Sequence, residues 1–282
     1  MSALARRRAV IVIGAGVSKH STSAKGGERP PLWGEFLEEA MKKAPVQDRL
    51  KPIQEALKVN DLLHACEWLK QRYDEHWIEY IRSIFQRPQY TSAPIHDMIF
   101  RLDSRIVFSL NFDDIYERHA NTIGNGAFIV KNYFDPDVSE FLRGDSRYII
   151  KVHGSLNRPD DTIFTQADYA SARIKHGTFY KAFDAALLTN TFLFIGCGYS
   201  DPDVNLLLEN QNFNYPSSLP HYFLSGSEIG EDRKLSLRKN RNIKVIEYDP
   251  VDDLHTGILN ELEALIEQVE ARRFDLAGNA SW

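Results

Sequence analysis

The stretch that decides the fold reads "AVIVIGAGVSKH" at residues 9–20. A run of apolar, mostly β-branched residues ends abruptly at Gly14-Ala15-Gly16. Because glycine lets a backbone approach a ligand closely or adopt a positive φ, the pattern predicts a strand that leads into a phosphate-binding turn. The first two glycines of the dinucleotide motif G-x-G-x-x-G are present, but Lys19 stands at the third position, and the P-loop pattern is absent. The stretch therefore indicates a nucleotide ligand without saying which one.

Apolar runs of the same kind recur along the chain between longer stretches with helical spacing. They are nearly continuous in Val, Ile, Leu and Phe, which is typical of parallel strands covered on both faces. Since strands that alternate with helices form βαβ crossovers, we expect an α/β, Rossmann-like fold with a mostly parallel sheet of about six strands and helices on both faces. The predicted strands lie at 8–14, 104–110, 147–154, 191–198, 220–226 and 242–249. The predicted helices between them lie at 112–121, 179–188, 201–210, 229–239 and 254–270.

One long segment, 33–101, interrupts this alternation, because its apolar residues recur at helical spacing and form no strand pattern. We expect a helical insert here, between the first and second strands, packed over the nucleotide cleft. The predicted single domain 1–282 then consists of a Rossmann-like core at 8–32 and 102–270, this insert, and a loose C-terminal tail at 271–282.

The composition sets limits on the function. The 282 residues are 43% hydrophobic and 26% charged, as in ordinary soluble globular proteins, and the net charge of -5 argues against direct nucleic-acid binding. The two cysteines, Cys66 and Cys197, form neither a disulfide framework nor a zinc pair, which fits a cytoplasmic protein. No apolar run approaches the ~20 residues of a membrane span, and no signal peptide precedes the first strand. The histidines lack ligand spacing, so no metal is expected.

Polar residues follow four of the predicted strands directly. In open α/β sheets, ligands bind outside the carboxyl ends of the strands, so these polar stretches are expected to line one crevice. The presence of all four at one edge of the sheet is stronger evidence for a ligand site than any one of them alone. The stretches are "GAGVSK" at 14–19, "SLNFDD" at 109–114, "VHGS" at 152–155 and "GCGYSDPD" at 196–203.

Several residues in these stretches are not needed for helix capping or for the turns, and they are therefore candidates for a functional role. Asn111 and Asp113 enter a helix, where one capping side chain would suffice. His153 stands at a strand end, and the unperturbed pKa of a histidine lies close to the pH at which an enzyme works. Gly196 and Gly198 leave room for a ribose or phosphate, before a helix N-terminus that favours anionic groups. The G-x-S-x-G nucleophile elbow of α/β-hydrolases is absent. No clear acidic residue ends a second strand at the distance that holds the NAD ribose in dehydrogenases, so a hydride-transfer enzyme is poorly supported.

The order of these motifs resembles the sirtuin (SIR2) superfamily, and specifically the SIR2-like domains of bacterial anti-phage defence proteins. Two departures separate the chain from protein-deacylating sirtuins. Two distant cysteines cannot build their four-cysteine zinc module, and "STSAKGGERPPLWGEF" at 21–36 replaces their "GIPDFR" stretch. Both departures fall where a peptide substrate would be held. The matching segments are "GAGVS" at 14–18, "PLW" at 31–33, "LNFD" at 110–113, "HGS" at 153–155 and "GCGYSD" at 196–201.

The resemblance implies an NAD+ glycohydrolase, which cleaves NAD+ to ADP-ribose and nicotinamide, with NAD+ as the substrate. In this comparison Asn111 would position the ribose or the attacking water, His153 would act as general base, and Asp113 would orient the nicotinamide or ribose. The glycine turn with Ser18 would hold the diphosphate, and the segment from Gly196 to Asp201 would hold the adenosine side. The expected cofactor-binding residues are Gly14, Ala15, Gly16, Ser18, Trp33, Gly196, Gly198, Tyr199 and Asp201.

The resemblance also implies a biological role, that of a toxic NAD-depleting effector of anti-phage defence. Because uncontrolled NAD+ hydrolysis would kill the host, we expect activation through a homo-oligomer or a partner, either a HerA-type ATPase or a HAM1-like nucleotide-binding protein. Two alternatives remain open from the sequence. One is a protein deacylase or ADP-ribosyltransferase of the sirtuin type, and the other is a non-catalytic nucleotide-sensing subunit.

Overall fold

A parallel sheet of seven strands forms the centre of the computed structural model, which describes residues 1–278. The strand order is β3-β4-β2-β1-β5-β6-β7, and every adjacent pair is parallel. The expected α/β class is confirmed, with seven strands in place of about six. The strands are β1 Ala9–Ile13, β2 Ile106–Ser109, β3 Phe128–Asn132, β4 Arg147–Lys151, β5 Thr191–Ile195, β6 His221–Gly226 and β7 Ile243–Tyr248.

The strand missing from the sequence-based prediction is β3, which lies at one edge of the sheet and pairs only with β4. Its middle residues Ile129 and Val130 are exposed, and Lys131 and Asn132 follow them. An edge strand has a partner on one side only and need not be buried on both faces. It therefore lacks the long apolar run that marks a central strand such as β1.

Helices cover both faces of the sheet. They are α1 Ser2–Ala5, α2 Ala15–Lys19, α3 Trp33–Lys43, α4 Lys51–Lys58, α5 Leu62–Tyr73, α6 Trp77–Phe85, α7 Pro94–Arg101, α8 Ile115–Ile123, α9 Gln166–Lys175, α10 Gly177–Thr189, α11 Pro202–Asn214, α12 Glu231–Arg241 and α13 Ile258–Gly278. Short 3-10 turns lie at Asp74–His76, Val138–Leu142 and Pro159–Asp161. Helix α9 is absent from the prediction. The tail expected at 271–282 is wrong over 271–278, because α13 continues to Gly278, and 279–282 lie outside the described residues.

The two faces of the central strand β1 enter two different cores. Val10 and Val12 pack into a core beneath α10, α11 and α12, whereas Ile11 and Ile13 pack into a core beneath α7, α8 and α13. Every residue of β1 is buried. Burial on both faces explains why the strand is apolar at successive positions rather than at alternating ones.

The helices α3 to α6 stand between β1 and β2 in the chain and have their own apolar cluster. This cluster includes Phe36, Leu37 and Trp77, and it takes in Phe164 from the segment after β4. Phe164 stacks on Phe112, with ring centroids 4.2 Å apart, directly after β2. The helical segment is thereby fixed against the carboxyl ends of the strands.

The order in which the chain adds strands reverses at β1. Strands β2, β3 and β4 lie on one side of β1, and β5, β6 and β7 lie on the other. A crevice opens at such a switch point, outside the carboxyl ends of the strands, and ligands of open α/β proteins bind there. The turns after β1, β2, β4 and β5 all reach this crevice.

Candidate active site

The turns after β1 and β5 pack against each other, backbone to backbone. The amide of Gly16 donates to the carbonyl of Gly196 over 2.9 Å, and the amide of Gly14 donates to the carbonyl of Ile195 over 3.1 Å. A Cβ on Gly14 would lie 2.6 Å from the Gly196 oxygen, and one on Gly16 would lie 2.9 Å from the Gly196 Cα. A close backbone approach does require these glycines, but the approaching group is a neighbouring turn of the same chain.

Gly196 is the most demanding position in this contact, because its φ is +61° and a Cβ there would lie 2.6 Å from the Val17 amide nitrogen. We expect Gly196→Ala to lower the free energy of unfolding by at least about 1 kcal/mol, since the substitution adds a clash to a strained backbone. Urea denaturation measures this. Gly198→Ala is the matched control, because the nearest atom to its Cβ would be the Ser200 Oγ at 3.9 Å. Equal losses in the two variants would contradict the assignment.

A cavity of about 310 Å³ lies at the switch point. Most of the sequence-predicted site residues line it, namely Gly14, Ala15, Ser18, Trp33, Asn111, Asp113, His153, Gly198 and Asp201. Gly16, Gly196 and Tyr199 do not line it. The two glycines form the contact between turns, and the hydroxyl of Tyr199 bonds to that of Ser225 in β6.

One hydrogen-bond network joins the turns after β1 and β2. The Ser18 hydroxyl donates to the Asp113 carboxylate over 2.8 Å, and the Asn111 amide nitrogen lies 3.0 Å from both the Ser18 hydroxyl and the Gly14 carbonyl. The other Asp113 oxygen accepts from the Ile115 amide at the start of α8. All three polar side chains are buried. The network fixes the Asn111 amide and leaves its oxygen to accept a hydrogen bond inside the cavity.

A buried ion pair supports this network from below. The Lys151 ammonium, at the end of β4, donates to the Asp113 carbonyl over 2.5 Å and to the Glu117 carboxylate over 2.6 Å. The side chains of Lys151 and Glu117 are only 2% and 8% exposed, so neither charge is solvated by bulk water. Burial raises the pKa of Glu117, and the Lys151 charge opposes that shift. Sequence reasoning missed Lys151, although a lysine within the apolar run "RYIIK" signals a buried charge that needs a partner.

His153 lies at the end of the turn after β4, and both ring nitrogens have partners. Its Nδ1 lies 3.1 Å from the Leu110 carbonyl, and its Nε2 lies 3.0 Å from the Asp201 carboxylate. The Tyr169 hydroxyl lies 3.3 Å from Nε2 and donates to Asp201 over 2.9 Å. The sequence predicts an adenosine contact for Asp201. The structure places its carboxylate against the imidazole of His153, and Asp201 also lines the cavity.

The charges of this pair shift both pKa values. Burial alone would lower the pKa of His153, but the Asp201 carboxylate and the Leu110 carbonyl more than offset it, and the pKa is raised. Burial alone would raise the pKa of Asp201, but the His153 charge and the hydrogen bonds to the carboxylate lower it. Each partner therefore favours the charged form of the other.

Tyr169 reaches this pair from α9, the helix that the sequence reading missed. Thr165 accepts from the Asp168 amide in a capping box that starts this helix. The spacing Thr-x-x-Asp at 165–168 is a signature of a helix N-terminus and could have revealed it. The sequence offers no comparable sign that the Tyr169 hydroxyl bonds to Asp201.

Aromatic rings form one wall of the cavity. Phe164 stacks on both Trp33 and Phe112, with ring centroids 5.6 Å and 4.2 Å apart. We call these three rings the aromatic wall. Since Trp33 begins α3, the helical segment between β1 and β2 supplies part of the wall. A flat, apolar ligand ring would fit against such a surface.

No group of three or more His, Cys, Asp or Glu side chains within residues 1–278 is arranged to hold a metal ion. Over the same residues, every helix is too short or too polar to span a bilayer.

The fold and the cavity together define an α/β protein with a candidate ligand site at the switch point of a doubly wound sheet. A family model for the SIR2-like domain matches residues 105–246, and the chain belongs to this family. The expected resemblance is confirmed.

Several curated proteins are similar to the chain over part of their length. It is 25% identical over 186 residues to the NAD(+) hydrolase ThsA of Acinetobacter baumannii (strain 532279), covering 60% of this chain and 38% of that protein. For the protein of the same name from Bacillus cereus (strain MSX-D12), identity is 24% over 204 residues, covering 66% and 41%. For Defense-associated sirtuin 2 of Bacillus subtilis, it is 23% over 172 residues, covering 59% and 17%. The match thus spans less than half of each relative.

Proposed function

We propose that the chain hydrolyses NAD+ to ADP-ribose and nicotinamide and acts in anti-phage defence by depleting cytoplasmic NAD+. The observation that carries the proposal is the convergence of Asn111 and His153 on one cavity at the switch point of a SIR2-like fold. The names of the similar proteins, NAD(+) hydrolase and defense-associated sirtuin, support the same activity and role.

The reaction breaks the bond between the nicotinamide nitrogen and the ribose carbon. Nicotinamide leaves neutral with the bonding electron pair, because its ring is cationic in NAD+, so the departure needs no proton. The ribose passes through a centre of oxocarbenium character, as in glycoside hydrolysis, and water adds to it with loss of one proton. The protein must therefore orient the ribose, place the water and accept that proton.

The site residues suit these three tasks. The turn of Gly14 and Ser18 would hold the diphosphate, and the aromatic wall would contact the nicotinamide. Asn111, with its amide nitrogen committed to Gly14 and Ser18, would present its oxygen to a ribose hydroxyl or to the water. His153 would accept the proton, directly or through a ribose hydroxyl. Asp113 would fix Ser18 and Asn111 in place through its bond to Ser18.

Control of the activity is part of the proposal, because unrestrained loss of NAD+ would kill the host cell. We place this control in a homo-oligomer or a partner protein, such as a HerA-type ATPase or a HAM1-like nucleotide-binding protein. The genes adjacent to this one are the natural source of partner candidates for the assay.

Incubation of the purified chain with NAD+ tests the activity, with nicotinamide and ADP-ribose separated by chromatography. We expect equal amounts of both products with no acyl-peptide present, and loss of both in Asn111→Ala. Cellular NAD+ is measured in parallel on co-expression with the neighbouring genes. Nicotinamide release that depends on an acyl-peptide would support a sirtuin-type deacylase instead. NAD+ binding without turnover in either assay would support a sensing subunit.

A further inference from the structure

The contacts of His153 determine where its protons lie. A carbonyl oxygen can only accept, so the Nδ1 atom, 3.1 Å from the Leu110 carbonyl, carries a hydrogen. A neutral ring with Nδ1–H would then point the lone pair of Nε2 at the Asp201 carboxylate, 3.0 Å away. With the Asp201 carboxyl ionised, as its contacts with the Val204 amide and the Tyr169 hydroxyl favour, that contact is attractive only when Nε2 also carries a hydrogen. The geometry therefore favours an imidazolium ion.

The Asp201 carboxylate is itself held in place from two helices. One oxygen accepts from the Val204 amide over 2.8 Å at the start of α11, and the other accepts from the Tyr169 hydroxyl of α9 over 2.9 Å. The side chains of His153 and Asp201 are 7% and 12% exposed, so water screens their contact only weakly.

From this geometry we propose that Asp201, held by the Tyr169 hydroxyl and the Val204 amide, is a positioning residue that fixes the Nε2 atom of His153 and keeps the ring protonated. The proposal rests on the proposed function, in which His153 accepts a proton. A ring that already holds this proton cannot act as the base. In this arrangement His153 becomes a base only when its contact with Asp201 is broken or the pH rises.

Besides Asp201, the groups around His153 supply one polar atom to Nε2, the uncharged Tyr169 hydroxyl at 3.3 Å. From α11, Asp203 adds a more distant negative charge, but its carboxylate accepts from the Tyr180 hydroxyl over 2.6 Å and lies 3.4 Å from the Arg173 guanidinium. From α9, Tyr169 presents its hydroxyl, and from the turn after β2 come the Leu110 carbonyl and the uncharged Phe112 ring. Asp201 is thus the carboxylate in direct contact.

The variant Asp201→Asn tests the proposal, because asparagine can still accept from the Val204 amide as a helix cap but carries no charge. The titration of His153 is followed in the free protein by NMR of histidine-labelled samples, with His153→Ala used to assign its signal. We expect the midpoint to move to lower pH in Asp201→Asn. The acidic limb of kcat/KM is expected to move with it, so that the ratio of kcat/KM at pH 6 to that at pH 8 rises.

Two further variants show whether the His153 midpoint depends on direct contact with Asp201 or on any nearby negative charge. Asp203→Asn removes a buried carboxylate that does not contact His153 and is expected to shift the midpoint less. Tyr169→Phe removes the hydroxyl and keeps the ring, and the midpoint is expected to stay above the ordinary histidine value. An unchanged midpoint in Asp201→Asn, or an equal shift in Asp203→Asn or Tyr169→Phe, would overturn the proposal. If no preparation hydrolyses NAD+, the proposed function fails, whereas the titration still decides the role of Asp201.

Discussion

Replacing His153 by alanine is expected to lower kcat for NAD+ hydrolysis by about 10²- to 10⁴-fold, the usual loss on removal of a general base. The imidazole lines the cavity and touches the turn of Asn111 through the Leu110 carbonyl. The aromatic wall and the glycine turn remain in the variant, so KM should change much less than kcat. Steady-state kinetics with NAD+ above and below KM measures the two effects separately.

A second histidine provides the control for this experiment. His76 lies in a 3-10 turn, and its side chain is 68% exposed. His76→Ala should leave kcat within about twofold of the original value, as expected for a surface substitution away from the site. Circular dichroism shows whether each variant is folded. A folded His153→Ala protein with kcat close to the original would remove His153 from the mechanism.

Replacing Lys151 by methionine is expected to lower the free energy of unfolding by about 3–5 kcal/mol, because it leaves the buried Glu117 carboxylate without its partner. It also removes the ammonium that donates to the Asp113 carbonyl. The double variant Lys151→Met/Glu117→Leu is the matched control, since replacing both members of a buried pair by apolar residues is often neutral. Urea denaturation at pH 7 compares the two proteins.

The two outcomes of the Lys151 experiment lead to different conclusions. Recovery of stability in the double variant would show that the single loss comes from an uncompensated charge. If the double variant is as unstable as Lys151→Met, the hydrogen bond to the Asp113 carbonyl is the main contribution. A single variant as stable as the original protein would contradict the buried ion pair itself.

The parts of the fold that follow from local pattern were predictable. Strands such as β1 are buried on both faces and apolar throughout, whereas β3 lies at an edge, exposes Ile129 and Val130, and was missed. Helix α9 was missed although the Thr165 capping box marks its start. A periodic apolar pattern marks elements that bury a continuous face. In β3 only Phe128 is buried, and in α9 only Tyr169 and Ala172 are buried, so neither sequence shows such a pattern.

The candidate site shows a similar division. The sheet rule brought Asn111, His153 and Asp201 to one cavity, because parallel strands end at the same edge. The contact of Asp201 with His153 could not be predicted, since it depends on the side-chain geometry of three segments far apart in the sequence. The same holds for Lys151, whose partners Asp113 and Glu117 lie in another segment of the chain.

The contact of Gly14 and Gly16 with Gly196 has an evolutionary consequence. The glycines stand in the turns after β1 and β5, at the point where the strand order reverses. A methyl group at any of these positions would lie 2.9 Å or less from backbone atoms of the facing turn. A side chain at one position therefore cannot be accommodated by a change of side chain at another. Among homologues, we expect glycine to be kept at all three positions together, even where the residues that contact the ligand differ.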